Sequence, residues 1–294
     1  MDYFGIIKKA YSITLKNKFL WILGFLAVGT FSFGQGLFNT PNYIINKADL
    51  NNDQIWQKAA EIWANYGSYI IGGLSLALIF CLILFVLSIT ASGGLIAAVD
   101  KMDEGHKFDF KQSFNLGWDR FWKVLGFRII LVVLFTISLL VLIIPTALFY
   151  QAKAYPLALI WGLIIIFVDL LFWVIIAVVS PYTLQIIVLE NLGIFKSIGK
   201  SIKMVIKNFV NVIVIYLLLV AIGIGYGIAL SLAILLIAGI LTLIGLGFVL
   251  ASPVLATSYG FVVGTLFLIV IFAVNGAYNA FQSATFTLVY RRIR

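Results

Sequence analysis

Long apolar runs alternate with short polar segments along the whole chain. Ionisable side chains are nearly absent from six of these runs, which cover residues 19–38, 66–99, 124–150, 156–188, 209–232 and 257–290. A helix needs about 20 apolar residues to cross a hydrocarbon core about 30 Å thick, so each run is long enough to span a membrane. The pattern predicts an all-α integral membrane protein with a six-helix transmembrane bundle, in which the longest helices tilt or project beyond the bilayer.

A seventh apolar stretch, 231–256, is harder to interpret because glycines and a proline interrupt it. If it spanned the membrane, Arg291 and the arginines after it would lie on the outer side. With six spans, only three basic residues lie outside: Lys47, Lys58 and Lys153. The positive-inside rule therefore favours six spans with both termini in the cytoplasm. We interpret 231–256 as an extension of the fifth span followed by a re-entrant or interfacial turn.

Composition supports this class. Of 294 residues, 63% are hydrophobic and 11% are charged, whereas soluble domains carry about 25% charged residues. No polar segment is long enough for a soluble domain, so residues 1–294 are expected to form a single transmembrane domain. The net charge of +9 does not indicate nucleic-acid binding, because the basic residues lie at the predicted membrane boundary. The lone Cys81 excludes an intramolecular disulfide.

An internal repeat organises the chain. Ser92–Gly105 aligns without a gap on Ser180–Gly193, at an offset of 88 residues, and a weaker copy begins near the N-terminus. The sequence therefore predicts about three parallel repeats, approximately 1–99, 100–188 and 189–294, related by an axis along the membrane normal. Each repeat contains a cytoplasmic amphipathic surface helix followed by two spans.

The surface helices carry the clearest helical periodicity. In the third helix, lysines recur on one face at Lys196, Lys200, Lys203 and Lys207, and apolar residues such as Phe195, Ile202, Val205 and Ile206 fill the opposite face. In the first helix the corresponding lysines are Lys8, Lys9 and Lys16. Such helices lie in the membrane interface with the apolar face towards the lipid. The lysines either bind anionic lipid headgroups or serve only to set topology and snorkel to water.

Short motifs at the ends of the spans resemble a broad prokaryotic family of polytopic membrane proteins of unknown function. These motifs are Gly93–Ala97, Phe114–Trp118 and Ala284–Arg291. The family is related to the membrane domain attached to some glycerophosphoryl diester phosphodiesterases. The resemblance implies a helical module in a prokaryotic cytoplasmic membrane, without established chemistry and without the phosphodiesterase catalytic domain.

Asp169 is the one carboxylate in the middle of a predicted span. An ionisable residue inside the membrane is a candidate functional residue. We expect Arg128, near the inner end of the third span, to reach towards it, and Gln185 to add a polar group on the same helix. The three residues form a candidate intramembrane polar site. A structural ion pair, or a protonated Asp169 that donates one hydrogen bond, explains the same pattern.

Conventional enzyme chemistry has no support in the sequence. His106, the single histidine, lies in a polar segment with acidic and basic neighbours whose spacing matches no metal loop. One histidine cannot complete a Ser-His-Asp or Cys-His set. Gly223, Gly225 and Gly227 form a G-x-G-Y-G run, which we interpret as a helix-packing surface rather than a potassium filter. We therefore predict no catalytic residues, no metal and no cofactor.

Two functional classes remain. The first is a non-catalytic integral membrane module that binds anionic lipid or a membrane-protein partner and supports membrane or envelope organisation. The alternative is a small-solute or lipid transporter with a central site near Asp169. A transporter predicts a water-accessible axial cavity at Asp169, whereas a scaffold predicts a packed centre.

Overall fold

The computed structural model of the protein describes residues 1–27 and 52–294, and every element in these two ranges is helical. In chain order the helices are α1 (Tyr3–Lys16), α2 (19–27), α3 (Asn52–Asp103), α4 (Phe110–Asp119), α5 (Phe121–Gln151), α6 (Tyr155–Leu189), α7 (Ile194–Lys207), α8 (Phe209–Ala251) and α9 (Pro253–Ile293). The predicted all-α class is confirmed.

Five of the described helices, α3, α5, α6, α8 and α9, are long and apolar enough to cross a membrane. The chain is therefore a multi-pass membrane protein. The first predicted span, 19–38, begins with α2, and its remaining residues lie outside the described ranges. At 1.5 Å per residue the 43 residues of α8 extend about 65 Å. This length exceeds the thickness of a bilayer core of about 30 Å, as the long apolar runs predicted.

The stretch 231–256 belongs to a helical hairpin. Helix α8 continues without a break to Ala251, so the predicted extension of the fifth span is confirmed. The chain then reverses at the single extended residue Ser252, and α9 begins at Pro253, so no separate re-entrant segment is formed. Proline disfavours a helical conformation in the residue before it, yet it is well suited to the first position of a new helix.

The three short helices α1, α4 and α7 each pack against a long helix that ends beside them. Helix α4 packs on α3, α7 on α6, and α1 on α9. The long helices α3, α6 and α9 also contact one another. Each short helix ends at a capping residue, Asn17, Arg120 or Asn208, that leads within two residues into the next helix of the chain.

The buried core lies at one end of the molecule, which we call the base. It consists of α1, α4 and α7 together with the adjoining ends of the long helices, and its side chains form three apolar clusters. Fully buried examples include Leu20, Ile89, Val124, Ile186 and Val289. Beyond the base, most large apolar side chains of the five spans are exposed. Lipid must cover these surfaces, because water contact with so much apolar area is unfavourable.

Close backbone approach holds α4 on α3. A Cβ atom on Gly117 would lie 2.0 Å from the carbonyl oxygen of Thr90, and one on Gly94 would lie 2.5 Å from that of Ser113. Both distances are shorter than atoms can approach, so these two positions require glycine. The short motifs at 93–97 and 114–118 thus form the contact between two helices.

Candidate functional site

Helix α7 presents three faces rather than the two that the sequence predicted. The face towards the core buries Ser197, Ser201, Met204 and Val205. A second face exposes large apolar side chains, namely Phe195, Ile202 and Ile206. The lysines occupy the third face. The sequence pattern predicts Val205 on the lipid-facing stripe, but in the structure it lies in the core cluster, because the helix uses its serine-lined side for protein packing.

Small polar residues make the core contact of α7 possible. The hydroxyls of Ser201 and Thr183 on α6 share a hydrogen bond of 2.7 Å, and Ser197 donates to the carbonyl of Gly193 at 3.0 Å. These bonds satisfy hydroxyls that are fully buried, as buried polar groups require. Sequence reasoning missed this face because serine is read as a solvent-facing residue.

The four lysines of α7 are not equivalent. Lys200 forms an ion pair with Glu190, in the connector between α6 and α7. For Lys196, Lys203 and Lys207, which are exposed, the described residues provide no ion-pair partner. Three of the four predicted headgroup-binding lysines are thus available to an external anion.

Helix α1 repeats the three-faced arrangement. Ile6, Ala10 and Thr14 are buried against the core, and a neighbouring face exposes Phe4, Tyr11 and Leu15. Its lysines divide as in α7. Lys9 pairs with Asp103 at the end of α3, whereas Lys8 and Lys16 are exposed and have no ion-pair partner in the ranges described. Both helices therefore combine an exposed apolar stripe with exposed ammonium groups.

The exposed apolar stripes open into grooves between spans. Phe4, Tyr11 and Leu15 line a groove of about 630 Å³ at the base of the α8–α9 hairpin, with Lys8 at its edge. Ile198 and Ile202 line a smaller groove of about 230 Å³ between α5 and α6. Both grooves are almost wholly apolar. Their size and chemistry suit hydrocarbon chains.

The candidate site around Asp169 is confined to one hairpin. Ser138 on α5 donates a hydrogen bond of 2.8 Å to the carboxylate of Asp169, and Trp173 Nε1 donates to Ser138 at 3.2 Å. Ser138 is nearly buried, whereas Asp169 is half-buried. Ser138 and Trp173 were not predicted from the sequence as partners of Asp169.

Arg128 and Gln185 lie elsewhere. The guanidinium of Arg128 donates to Ser92 at 2.6 Å and to Ser88 at 3.2 Å, both on α3. It does not form the predicted pair with Asp169. Gln185 is buried in the base, where its side-chain oxygen accepts a hydrogen bond of 3.1 Å from Thr287 on α9. The structure therefore separates the three residues that the sequence grouped, and each joins two helices.

A polar cluster that sequence reasoning missed lies between α8 and α9. The rings of Tyr226 and Tyr278 stack with centroids 4.1 Å apart, and Tyr226 donates to Asn275 at 3.2 Å. Gln282 donates to the Tyr278 hydroxyl at 2.8 Å. A Cβ atom on Gly223 would lie 2.7 Å from that hydroxyl, so Gly223 takes part in helix packing, as the glycine run predicted.

Ion pairs connect the helix ends at the base. Arg291 on α9 lies within 3.4 Å of carboxylate oxygens on Asp100, Asp103 and Glu104. Carboxylates at a helix C-terminus face the negative end of the helix dipole, so the arginine offsets an unfavourable arrangement. The hydrogen bond from Lys101 lowers the pKa of Glu104 below its ordinary value.

Glu190 is the centre of a second network. Its carboxylate accepts hydrogen bonds from Lys200 and from Tyr290, the latter at 2.5 Å, and Arg294 lies 3.4 Å away. Burial acts to raise the pKa of Glu190, but the hydrogen bonds and the two positive charges outweigh it, so the pKa is lowered. The ionised carboxylate thus links α6, α7 and α9.

No protein-family model matches the chain, and searches of curated proteins and of solved structures found no significant match.

Proposed function

We propose that this protein is a non-catalytic integral membrane module that binds anionic lipid through α1 and α7 and supports membrane organisation. The observation that carries the proposal is the pairing, on both helices, of an exposed apolar stripe with exposed lysines. A lipid matches both features, since its acyl chains cover the stripe and its headgroup pairs with the ammonium groups. Each lysine near an anionic leaflet contributes about 1 kcal/mol.

The proposal places the base, and both termini, on the cytoplasmic side of a prokaryotic membrane. The lysines and arginines concentrated at the base support this orientation. It also describes the fold as about three parallel repeats with amphipathic surface helices. The support is that α4 packs on α3, α7 on α6 and α1 on α9, an arrangement that a three-fold axis would generate. We also propose a relationship to the membrane domain attached to some glycerophosphoryl diester phosphodiesterases, on the basis of the short motifs at the ends of the spans.

The test compares lipid selectivity in vesicles of phosphatidylcholine and phosphatidylglycerol, using spin-labelled lipids to report the first lipid shell. The main variant is Lys196/Lys203/Lys207→Gln, which leaves the Lys200–Glu190 ion pair intact. The matched control is Lys47/Lys58/Lys153→Gln, three lysines predicted on the opposite side. We expect the preference for phosphatidylglycerol to fall severalfold in the main variant only, and its dependence on salt to weaken. An unchanged preference would contradict lipid binding and favour a protein partner.

The second candidate function is a small-solute or lipid transporter. The position of Asp169 favours this function, because an ionisable residue in the middle of a span usually has a functional role. Against it, the carboxylate is bound by Ser138 within the same hairpin. Solute uptake into proteoliposomes, measured for the wild type and for Asp169→Asn, distinguishes the two candidate functions.

A further inference from the structure

A polar groove of about 650 Å³ lies where α1 meets α2 and faces the connector between α3 and α4. We call it the junction groove. From the α1–α2 side, Lys9, Lys16 and Lys18 line it. From the connector, His106, Lys107 and Asp109 line it. It differs from the two apolar grooves described above, because charged side chains form much of its wall.

The charges in the junction groove do not balance. Lys9 is paired with Asp103, and Glu104 is engaged by Lys101 and Arg291. Lys16, Lys18 and Lys107 have no hydrogen-bond or ion-pair partner within residues 1–27 and 52–294. Three ammonium groups without a partner among the described residues thus line the groove together with one carboxylate, that of Asp109. The groove carries a net positive charge that an anion would compensate.

The connector that carries His106 and Lys107 has a fixed shape. Gly105 has a positive φ of 84°, a conformation that glycine adopts without strain. The N–H of Gly105 donates to the carbonyl of Met102, and the N–H of His106 donates to that of Lys101, both at 3.1 Å. These two bonds form a Schellman motif, which terminates α3 and turns the chain. His106 and Lys107 therefore follow a fixed turn at the groove.

The corresponding positions at the other two short helices are filled by the protein itself. After α4, Lys123 donates to the backbone and side-chain oxygens of Asn191 in the next connector, at 2.6 Å each. After α7, the Asn208 side chain donates to the carbonyl of Ile293 at 3.4 Å. The connector after α6 comprises residues 190–193, whereas the one after α3 comprises 104–109 and is two residues longer. The longer connector leaves the first junction open.

We infer that the junction groove binds the phosphate group of an anionic phospholipid as a discrete site. Lysine ammonium groups bind phosphate as point charges, and the volume of the groove falls within the range of small-molecule sites. Phe19 and Phe108 also line the groove, and Lys18 immediately precedes the first apolar run. A lipid headgroup is thus favoured over a soluble phosphate, because the groove lies where the chain enters the membrane.

The inference rests on the membrane placement in the proposed function, but not on the lysines of α7. Native mass spectrometry of protein extracted from phosphatidylglycerol–phosphatidylcholine nanodiscs can count lipids that survive delipidation. We expect one retained phosphatidylglycerol per wild-type chain. In Lys16/Lys18/Lys107→Gln its occupancy should fall by about tenfold or more, given the contribution of each basic residue near an anionic group. The variant Lys196/Lys203/Lys207→Gln should keep it.

Further variants and one competing ligand distinguish the possible outcomes of this experiment. Lys16/Lys18/Lys107→Arg keeps the charge and should retain the lipid, and melting curves of both variants verify folding. If the glutamine variant does not fold, the single variant Lys18→Gln takes its place. The inference would be overturned if the groove substitutions did not change the retention of phosphatidylglycerol. This holds even if the α7 variant loses its preference for phosphatidylglycerol in vesicles. Displacement of the retained lipid by millimolar glycerol phosphate would show that the ligand is a soluble phosphate, and it would overturn the choice of lipid. Binding of glycerol phosphate in detergent as tightly as the lipid would have the same meaning.

Discussion

The phenol of Tyr290 donates a hydrogen bond of 2.5 Å to Glu190, and this bond fastens the last turns of α9 to the end of α6. The Tyr290 side chain is fully buried, and the Glu190 carboxylate also forms an ion pair with Lys200 of α7. One side chain in a short connector therefore holds three helices of the base together.

Replacing Tyr290 by phenylalanine should lower stability by about 1 kcal/mol, because Glu190 loses one partly buried hydrogen bond while the ring packing stays. The apparent melting temperature in detergent is the measurement. Tyr69→Phe serves as the control, since Tyr69 is 77% exposed on α3 and should show no change. Equal melting of the two variants would mean that the bond contributes nothing.

The stabilising effect of Glu190 should depend on pH. Its pKa in the folded protein lies below the ordinary value of 4.5, so the ionised form stabilises the fold. That contribution is fully present above pH 4.5 and is lost as the pH falls through the folded pKa. The melting difference between wild type and Glu190→Gln should therefore be largest near neutral pH and shrink below pH 4.5. Glu61→Gln, exposed on α3, is the control variant.

Gly117→Ala should destabilise the contact of α4 with α3 by about 1–3 kcal/mol, the usual cost of overpacking. The new methyl would lie 2.0 Å from the carbonyl oxygen of Thr90. Gly199→Ala on α7 is the matched control, because no atom lies within 4 Å of its Cβ position, and alanine favours helix. Thermal unfolding should rank Gly199→Ala at or above wild type and Gly117→Ala well below.

Arg128→Lys should cost about 1 kcal/mol despite the retained charge. The guanidinium uses two nitrogens to reach Ser88 and Ser92, one turn apart on α3, and a lysine cannot match this forked geometry. Arg120→Lys is the control, since only the backbone of Arg120 makes hydrogen bonds in the described structure. A melting temperature equal to that of the control would show that charge alone matters at this position.

Asp169→Asn should leave folding and lipid selectivity nearly unchanged, because the amide oxygen still accepts the hydrogen bond from Ser138. Ser138→Ala should cost more, about 0.6–2 kcal/mol, since it removes hydrogen bonds between membrane helices. Melting in detergent compares the two variants, and Thr136→Ala, exposed on α5, is the control. A specific loss of solute uptake in Asp169→Asn would support the transporter instead.

The sequence was sufficient for the all-helical class and for the five apolar helices of the described ranges, because the length of an apolar run reports a spanning helix directly. It was insufficient for contacts within the membrane. Helices α5 and α6 are apolar around their whole circumference, so no amphipathic face reveals their rotation. The partner of Asp169 could therefore not be deduced. Likewise, hydropathy alone ranks Ser201 and Gly117 as surface residues, although close packing buries both.

The packing of α1 against α9 has a consequence for biosynthesis. The core contacts of α1 form chiefly with the helix that is translated last among those described. At about 5–20 residues per second, the 236 residues between Lys16 and Pro253 take roughly 12–47 s to emerge from the ribosome. During that interval the side of α1 that packs on α9 has no partner helix, so this part of the base can be completed only after α9 has been translated.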